Sequence, residues 1–282
     1  MTGFINLNKA VGSSSAREVS VIKRLTGQPC GHMGTLDPMA SGVLPVGIGN
    51  ACRLFDYFLT KRKTYLATFR FGEHFDTLDT TGQVISAGGH IPEREEIECV
   101  LPRLVGEVMQ VPPKYSAKSI GGKRGYALAR AGVDFELPPK RVSIYSIDLV
   151  ARRSEDEYDF RIKCGGGTYV RSICRDMAEM LGTFAAMSAL IREKSGPFAI
   201  ENSVAAEQLN SDNILQYIIP ADSVLPFDSV HVADRTQFML LNGMSVPTDL
   251  VDGTYKIYLE NGQFYGLGAV ADCRLKVKTK LC

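Results

Sequence analysis

The chain's patterning predicts an α+β fold. Its main body is a mainly antiparallel mixed sheet flanked by helices, and a small β-rich module follows at the C-terminal end. Three observations carry this expectation. Residues 64–71 alternate with period two, with Tyr65, Ala67, Phe69 and Phe71 on one face and Thr64, Leu66, Thr68 and Arg70 on the other. Helical patterns occur among the strands without strict strand–helix alternation, which argues against a doubly wound parallel sheet. The chain then ends in a hairpin signal and a second alternating segment.

In order along the chain, Gly3–Leu7 is short and apolar and reads as a strand. Ser15 followed by Glu18 has the spacing of a capping box, and Val19, Ile22 and Leu25 continue a helix that Gly27 suits as its stop. Residues 28–50 are rich in glycine and proline and lead into an apolar strand from Val43. Ile97, Val100, Leu101, Leu104 and Val105 have helical spacing, with Pro102 expected to kink or end the helix. Strands are expected at 141–150 and 157–164. Gly165–Gly167 then precedes a helix carrying Val170, Ile173, Cys174, Met177 and Leu181 on one face. Residues 220–228 read as a junction, and Asp234–Leu241 as a short helix. Asn261-Gly262 between two strand-like runs predicts a type I′ hairpin turn. The tail places Arg274, Lys276, Lys278 and Lys280 on one strand face, a pattern that also guards an edge strand.

Composition narrows the function classes. The chain has 282 residues, 45% hydrophobic and 22% charged, an ordinary globular mixture that excludes collagen-like and wholly disordered chains. No apolar run approaches the roughly 18 residues of a membrane span. The seven cysteines are scattered and none forms a Cys-x-x-Cys pair, which fits a reducing cytoplasm better than a disulfide framework. The opening residues lack the pattern of a signal peptide, so a cytoplasmic location is expected. Net charge is only +1, yet residues 71–107 hold eight acids and two bases, while 112–131 hold five bases and no acid. A local basic surface is compatible with a neutral chain.

Cofactor signatures are missing. There is no phosphate-binding Gly-x4-Gly-Lys-Ser/Thr loop, and the single Gly-x-Gly-x-x-Ala match, Gly266–Ala271, lies inside the terminal hairpin. The four histidines have no metal-ligand spacing. We therefore expect no cofactor and no metal. The strongest candidate for chemistry is Gly31–Pro45 (GHMGTLDPMASGVLP), where Asp37 sits among Leu36, Met39, Val43 and Leu44. A carboxylate in such surroundings must be paired or pay a desolvation penalty. An Asp-Pro turn starter is the competing reading. Gly165–Arg171 (GGGTYVR) is a second candidate, either an anion-friendly turn or a plain glycine-rich one.

The Gly31–Pro45 run resembles the signature of TruB-type tRNA pseudouridine synthases. So do Lys63-Thr64-Tyr65, Phe75–Gly82 (FDTLDTTG), Pro112–Ala117 (PPKYSA) and Gly167–Ile173 (GTYVRSI), in family order across roughly residues 3–200. Asn8 and Ala10 stand where the family usually has Asp and Pro, and Met33 replaces a smaller residue. The resemblance implies a catalytic domain over 1–225, with 112–131 as a basic insertion over the RNA, and a PUA-like RNA-binding module over 226–282. It implies isomerisation of uridine to pseudouridine at position 55 in the tRNA T loop; no guide RNA is expected, and a monomer is the default expectation. Asp37 is then the nucleophile and Arg171 its partner, and Tyr65 stacks on the uracil. Tyr169 helps remove the C5 proton, and Leu190 is the apolar wall. His32 fills the space of the flipped nucleotide, Asp79 lies near the base, and Lys114, Lys118, Lys123 and Arg124 meet phosphates. Two competing classes are a noncatalytic tRNA-binding or tRNA-folding protein on the same scaffold, and a nucleoside hydrolase. A hydrolase usually needs a second carboxylate.

Overall fold

The computed structural model describes residues 2–116, 133, 135 and 137–282, together with the backbone of 119–120 and 123–124. Lys118 and the side chains of Lys123 and Arg124 lie outside the described residues. Strands in the first half are β1 Gly3–Lys9, β2 Cys30–His32, β3 Ser41–Ile48, β4 Lys63–Phe71, β5 Glu73–Phe75, β6 Val84–Ala87, β7 Gly106–Gln110, β8 Ser119–Ile120 and β9 Lys123–Arg124. The middle adds β10 Lys140–Arg152, β11 Glu157–Cys164, β12 Ala185–Ser195, β13 Phe198–Ala199 and β14 Ile219–Pro220. The C-terminal part has β15 Ser229–His231, β16 Val246–Pro247, β17 Gly253–Tyr258, β18 Phe264–Ala271 and β19 Arg274–Lys280. The α-helices among the described residues are α1 Ser15–Thr26, α2 Phe55–Leu59, α3 Arg94–Val100, α4 Val170–Met180 and α5 Asp234–Leu241.

The fold is α+β. A ten-stranded sheet runs β14-β1-β3-β12-β4-β11-β10-β7, with β2 beside β3 and β13 beside β12. Its pairs are antiparallel except β12 with β3, where Ile191 faces Ser41. A separate five-stranded sheet, β15-β17-β18-β19-β16, forms the C-terminal part.

The period-two alternation of β4 has a direct outcome. Tyr65, Ala67, Phe69 and Phe71 are buried in one core with Ile173, Cys174 and Met177 of α4 and Ile22 of α1. Of the opposite set, Thr68 is also buried, and it donates to the Asp159 carboxylate at 2.6 Å. At the β1–β3 end, alternate residues serve two cores. Ile5, Leu7, Leu44, Val46 and Ile48 join the first. Phe4, Val43 and Met33 join a second, together with Phe58, Phe198, Leu267 and Leu281, which ties the C-terminal sheet to the main body. Met33 packs over Gly47, where a Cβ would lie 2.8 Å from the methionine Cε. Helix α3 gives way to a 3₁₀ turn, Leu101–Leu104, at Pro102, as the proline demands.

Two local expectations are corrected. The N-cap of α1 is Ser14, whose side chain accepts from the Arg17 amide, so the expected Ser15–Glu18 capping box does not form. Ser15 is inside the helix and its hydroxyl is used elsewhere. The Asn261-Gly262 turn is also not type I′. Positive φ occurs at Gly262 but not at Asn261, and Leu259 pairs with Gln263 around a longer loop, a type I turn closed by a left-handed glycine. The type I′ geometry falls instead at Asp272 and Cys273, both with positive φ (52° and 55°), between Ala271 and Arg274.

Candidate active site

The Gly31–Pro45 segment is bent into shape by side chains that reach it from three directions. The Ser15 hydroxyl donates to the Leu36 carbonyl at 3.0 Å and accepts from the Leu36 amide at 2.9 Å, so one buried hydroxyl clamps both polar groups of the residue before Asp37. Lys9, fully buried at the end of β1, donates to the carbonyls of Ala10, Ser13 and Pro38. Arg192, also buried, donates to the carbonyls of Val43 (2.6 Å), Gly34 (3.1 Å) and Thr35 (3.4 Å). Gly42 lets β3 pass this strand closely: at φ +96°, a Cβ there would sit 2.4 Å from the Arg192 carbonyl oxygen. Buried cations satisfied by carbonyl dipoles thus hold the loop that presents Asp37.

Helix α4 brings the partner. Arg171, in its first turn and 5% exposed, places Nη2 2.8 Å from Asp37 Oδ2 and Nη1 3.3 Å from Asp79 Oδ2. The same guanidinium donates to the carbonyls of Thr77 and Tyr115, both at 3.0 Å. One planar fork therefore joins two carboxylates and two loops. Asp79 also accepts from the Thr77 and Thr81 hydroxyls and the Thr81 amide, so the Asx-type turn and the ion pair coexist there.

Asp37 opens into a pocket of about 460 Å³ lined also by Lys63, Tyr65, Ser116, Lys140, Gly166, Tyr169, Arg171, Leu190 and Arg192. That volume suits one small ligand. Tyr65 stands where the aromatic core face of β4 reaches the pocket. Tyr169 caps α4, and Gln110 grips its backbone twice, accepting from its amide at 2.8 Å and donating to its carbonyl at 3.1 Å. Gly166 permits the turn before α4 to lie against Leu59, where a Cβ would come 1.8 Å from the carbonyl oxygen. Asp79 and His32 are not on this wall: Asp79 faces Arg171, and His32 lies on β2 with its Nδ1 buried and without a hydrogen bond. Lys114, near the start of the basic segment 112–131, is outside the pocket lining and has interactions of its own.

The electrostatics follow from burial. Burial pushes the Asp37 carboxyl above the ordinary aspartate range; Arg171 opposes this and the Asp79 charge adds to it. Burial raises the Tyr169 phenol, with Ser116 and Arg171 holding it down in part, and it raises Tyr65 likewise. Lys63, donating to the Leu59 and Lys61 carbonyls, is lowered to about 8 by burial and by Arg192. His32 is lowered by burial and then by Arg192, which favours the neutral imidazole. Among the described residues no cluster of His, Cys, Asp and Glu could hold a metal, and no helix is long and apolar enough to cross a membrane.

Sequence reasoning missed Ser15, Lys9, Arg192, Lys63, Gln110 and Ser116. A detectable signal existed for Arg192, a charge within the strand-like run that also carries Leu190.

Comparison with known proteins shows the family. The model of the TruB family pseudouridylate synthase N-terminal domain matches residues 23–170. The tRNA pseudouridylate synthase B C-terminal domain matches residues 171–227. The tRNA pseudouridine synthase B of Clostridium kluyveri is 39% identical, covering 98% of each chain. That of Clostridium novyi is 39% identical over the whole of both. The protein of the same name from Bradyrhizobium diazoefficiens is 38% identical, covering 87% of this chain and 76% of its own. Among solved structures, a chain of a Cbf5-Nop10-Gar1 complex superposes with a TM-score of 0.73 at 25% identity, covering 99% of this chain and 85% of that one. The chain belongs to the TruB family of pseudouridylate synthases.

Proposed function

We propose that this protein isomerises uridine to pseudouridine at position 55 in the T loop of tRNA, with Asp37 as nucleophile on a base flipped into the pocket. The single observation that carries the reading is the Arg171 fork. It holds Asp37 on the pocket lining while its other arm is fixed on Asp79. The name of the relatives, tRNA pseudouridine synthase B, supports the substrate.

The reaction breaks the N1–C1′ bond, forms a C5–C1′ bond, removes the C5 proton and returns a proton to N1. The residues present divide this work. Arg171 favours the ionised form of Asp37 against the cost of burial, and attack at ribose C1′ or uracil C6 would use the same carboxylate. Tyr65 offers a π surface for the extruded base and Leu190 an apolar wall, both on the pocket lining. His32, kept neutral, stacks in the space the nucleotide leaves, lowering the flipping penalty of a few kcal/mol. Tyr169 is placed to exchange a proton with the base. Because burial holds its phenol protonated, it enters as a donor, and accepting the C5 proton requires passing its own onward. Lys114 and the segment 112–131, with Lys118, Lys123 and Arg124, supply cations to the RNA backbone. In this reading residues 1–225 form the catalytic domain, 226–282 form a PUA-like RNA-binding module, and the enzyme works as a cytoplasmic monomer without guide RNA.

A nucleoside hydrolase would need a second carboxylate facing the ligand. Asp79 is the nearest candidate, and its oxygens are engaged by Arg171, Thr77 and Thr81 away from the pocket wall. The test is Asp37→Asn. The expected outcome is a folded protein that still binds a T-stem–loop RNA and forms no pseudouridine in it. Wild-type turnover by this variant overturns the assignment.

A further inference from the structure

We propose that the Ser116 hydroxyl reads the nucleobase: it hydrogen-bonds the polar edge of the uracil and makes the pocket selective for that base. The inference rests on the function proposed above and adds a specificity residue to it.

Ser116 is 4% exposed and lines the pocket with Asp37, Tyr65, Tyr169 and Leu190. Its Oγ is buried and makes no hydrogen bond of good geometry among the described residues; its polar neighbour is the Tyr169 phenol, which it helps to hold down. Buried polar side chains are nearly always satisfied, and one left open on a pocket wall points to a partner that arrives with the ligand. Three charged groups of the wall have partners already. Asp37 is engaged by Arg171, the Arg192 guanidinium by three carbonyls, and the Lys63 ammonium by two.

The backbone around Ser116 is fixed from both sides. Arg171 Nη2 donates to the Tyr115 carbonyl at 3.0 Å, the Ser116 amide donates to the Lys114 carbonyl at 3.0 Å, and the Ser172 hydroxyl donates to the Val111 carbonyl at 2.8 Å. The guanidinium that orients Asp37 therefore also positions the chain presenting Ser116. Reacting carboxylate and reading hydroxyl share one anchor.

The chemistry suits uracil. A hydroxyl carries one donor and two acceptor lone pairs, so it can donate to a ring carbonyl or accept from N3–H. Tyr65 and Leu190 present only ring and hydrocarbon surface for the faces of the base. A polar reader at the edge complements them.

The test uses the full chain and two RNAs, a T stem–loop with uridine at the target position and the same RNA with an abasic target. Ser116→Ala is expected to lower kcat/KM about 10- to 100-fold on the uridine RNA, because a site built to bond a polar edge loses that bond. Binding is measured in the Asp37→Asn background to prevent turnover. There, adding Ser116→Ala is expected to weaken the uridine RNA about tenfold and leave the abasic RNA unchanged. The thermal midpoint should change little, since the substitution removes a buried hydroxyl that makes no hydrogen bond of good geometry within the protein. Equal weakening for both RNAs, or a lowered midpoint with an unchanged uridine-to-abasic ratio, means a structural role and overturns the proposal. So does wild-type kcat/KM in Ser116→Ala. A wild-type protein that forms no pseudouridine in the stem–loop overturns the parent reading instead, before the variant is made.

Discussion

At the scale of single residues, the site turns on a buried arginine shared by two carboxylates. The Asp79 charge disfavours that of Asp37, and Arg171 is the cation between the two carboxylates. A raised pKa on a group that must act ionised has a defined sign. Activity is present above that pKa and lost as pH falls through it. The acid limb of kcat/KM should therefore lie above the roughly 3.9 of an ordinary aspartate. Arg171→Met removes the main opposing charge, so Asp37 rises further and the acid limb of any residual activity moves to higher pH. The substitution also leaves two carboxylates without their cation, at a cost of about 3–5 kcal/mol, read by urea unfolding. An unmoved acid limb would show that Arg171 positions Asp37 without tuning it. Arg171→Lys should not rescue, because a point charge on a flexible stem does not reproduce a fork that reaches Asp37, Asp79, Thr77 and Tyr115 together.

At the scale of elements, the loop 33–43 is a structure made by its neighbours, and this explains what was legible in advance. Its importance could be read from Asp37 among glycines, prolines and apolar residues, and the pairing with Arg171 followed from the family blocks. The devices that shape it are long-range bonds to backbone carbonyls, which leave no periodic trace. Two adjacent serines illustrate the difficulty. Ser14 and Ser15 both suit an N-cap, and only the fold decides that Ser14 caps while Ser15 clamps Leu36, 21 residues away. The hairpin turns show the same limit. Asn-Gly is the stronger local signal for a type I′ turn, yet the strand register places that turn at Asp272 and Cys273. The serines give a paired prediction. Ser14→Ala should cost about 1 kcal/mol and leave kcat near wild type, as for a lost exposed cap. Ser15→Ala leaves the buried Leu36 amide and carbonyl without their partner and should cost about 1–3 kcal/mol. It should also reduce kcat, with KM for the stem–loop little changed, because it loosens the residue before Asp37. Equal kinetics for the two variants would mean that the clamp does not position the carboxylate.

At the scale of the whole molecule, the two sheets are joined by a shared apolar core, so the stability of the site and of the C-terminal part should be inseparable. Leu281 and Leu267 from the C-terminal sheet pack with Phe4, Val43, Phe58 and Phe198 of the main body. The join is reinforced by the Arg53 guanidinium, which donates to the Lys280 carbonyl at 2.8 Å, and by the Tyr258 phenol, which donates to Asp222 at 2.7 Å. Phe4 and Val43 belong to β1 and β3, the same strands whose alternate residues line the core behind the Asp37 loop. Loosening the C-terminal contact thus removes support from the second face of the strands that carry the site. Leu281 is 2% exposed, so Leu281→Ala should cost about 2–5 kcal/mol through lost burial and the cavity left behind. The expected signature is one cooperative transition, with far-ultraviolet circular dichroism and stem–loop turnover lost at the same lowered denaturant midpoint and with an unchanged slope. If turnover persists after the first of two separated transitions, the sheets are independent units and the shared core does not couple them. Coincident transitions would mean that the C-terminal sheet stabilises the active site directly, apart from any contact it makes with RNA.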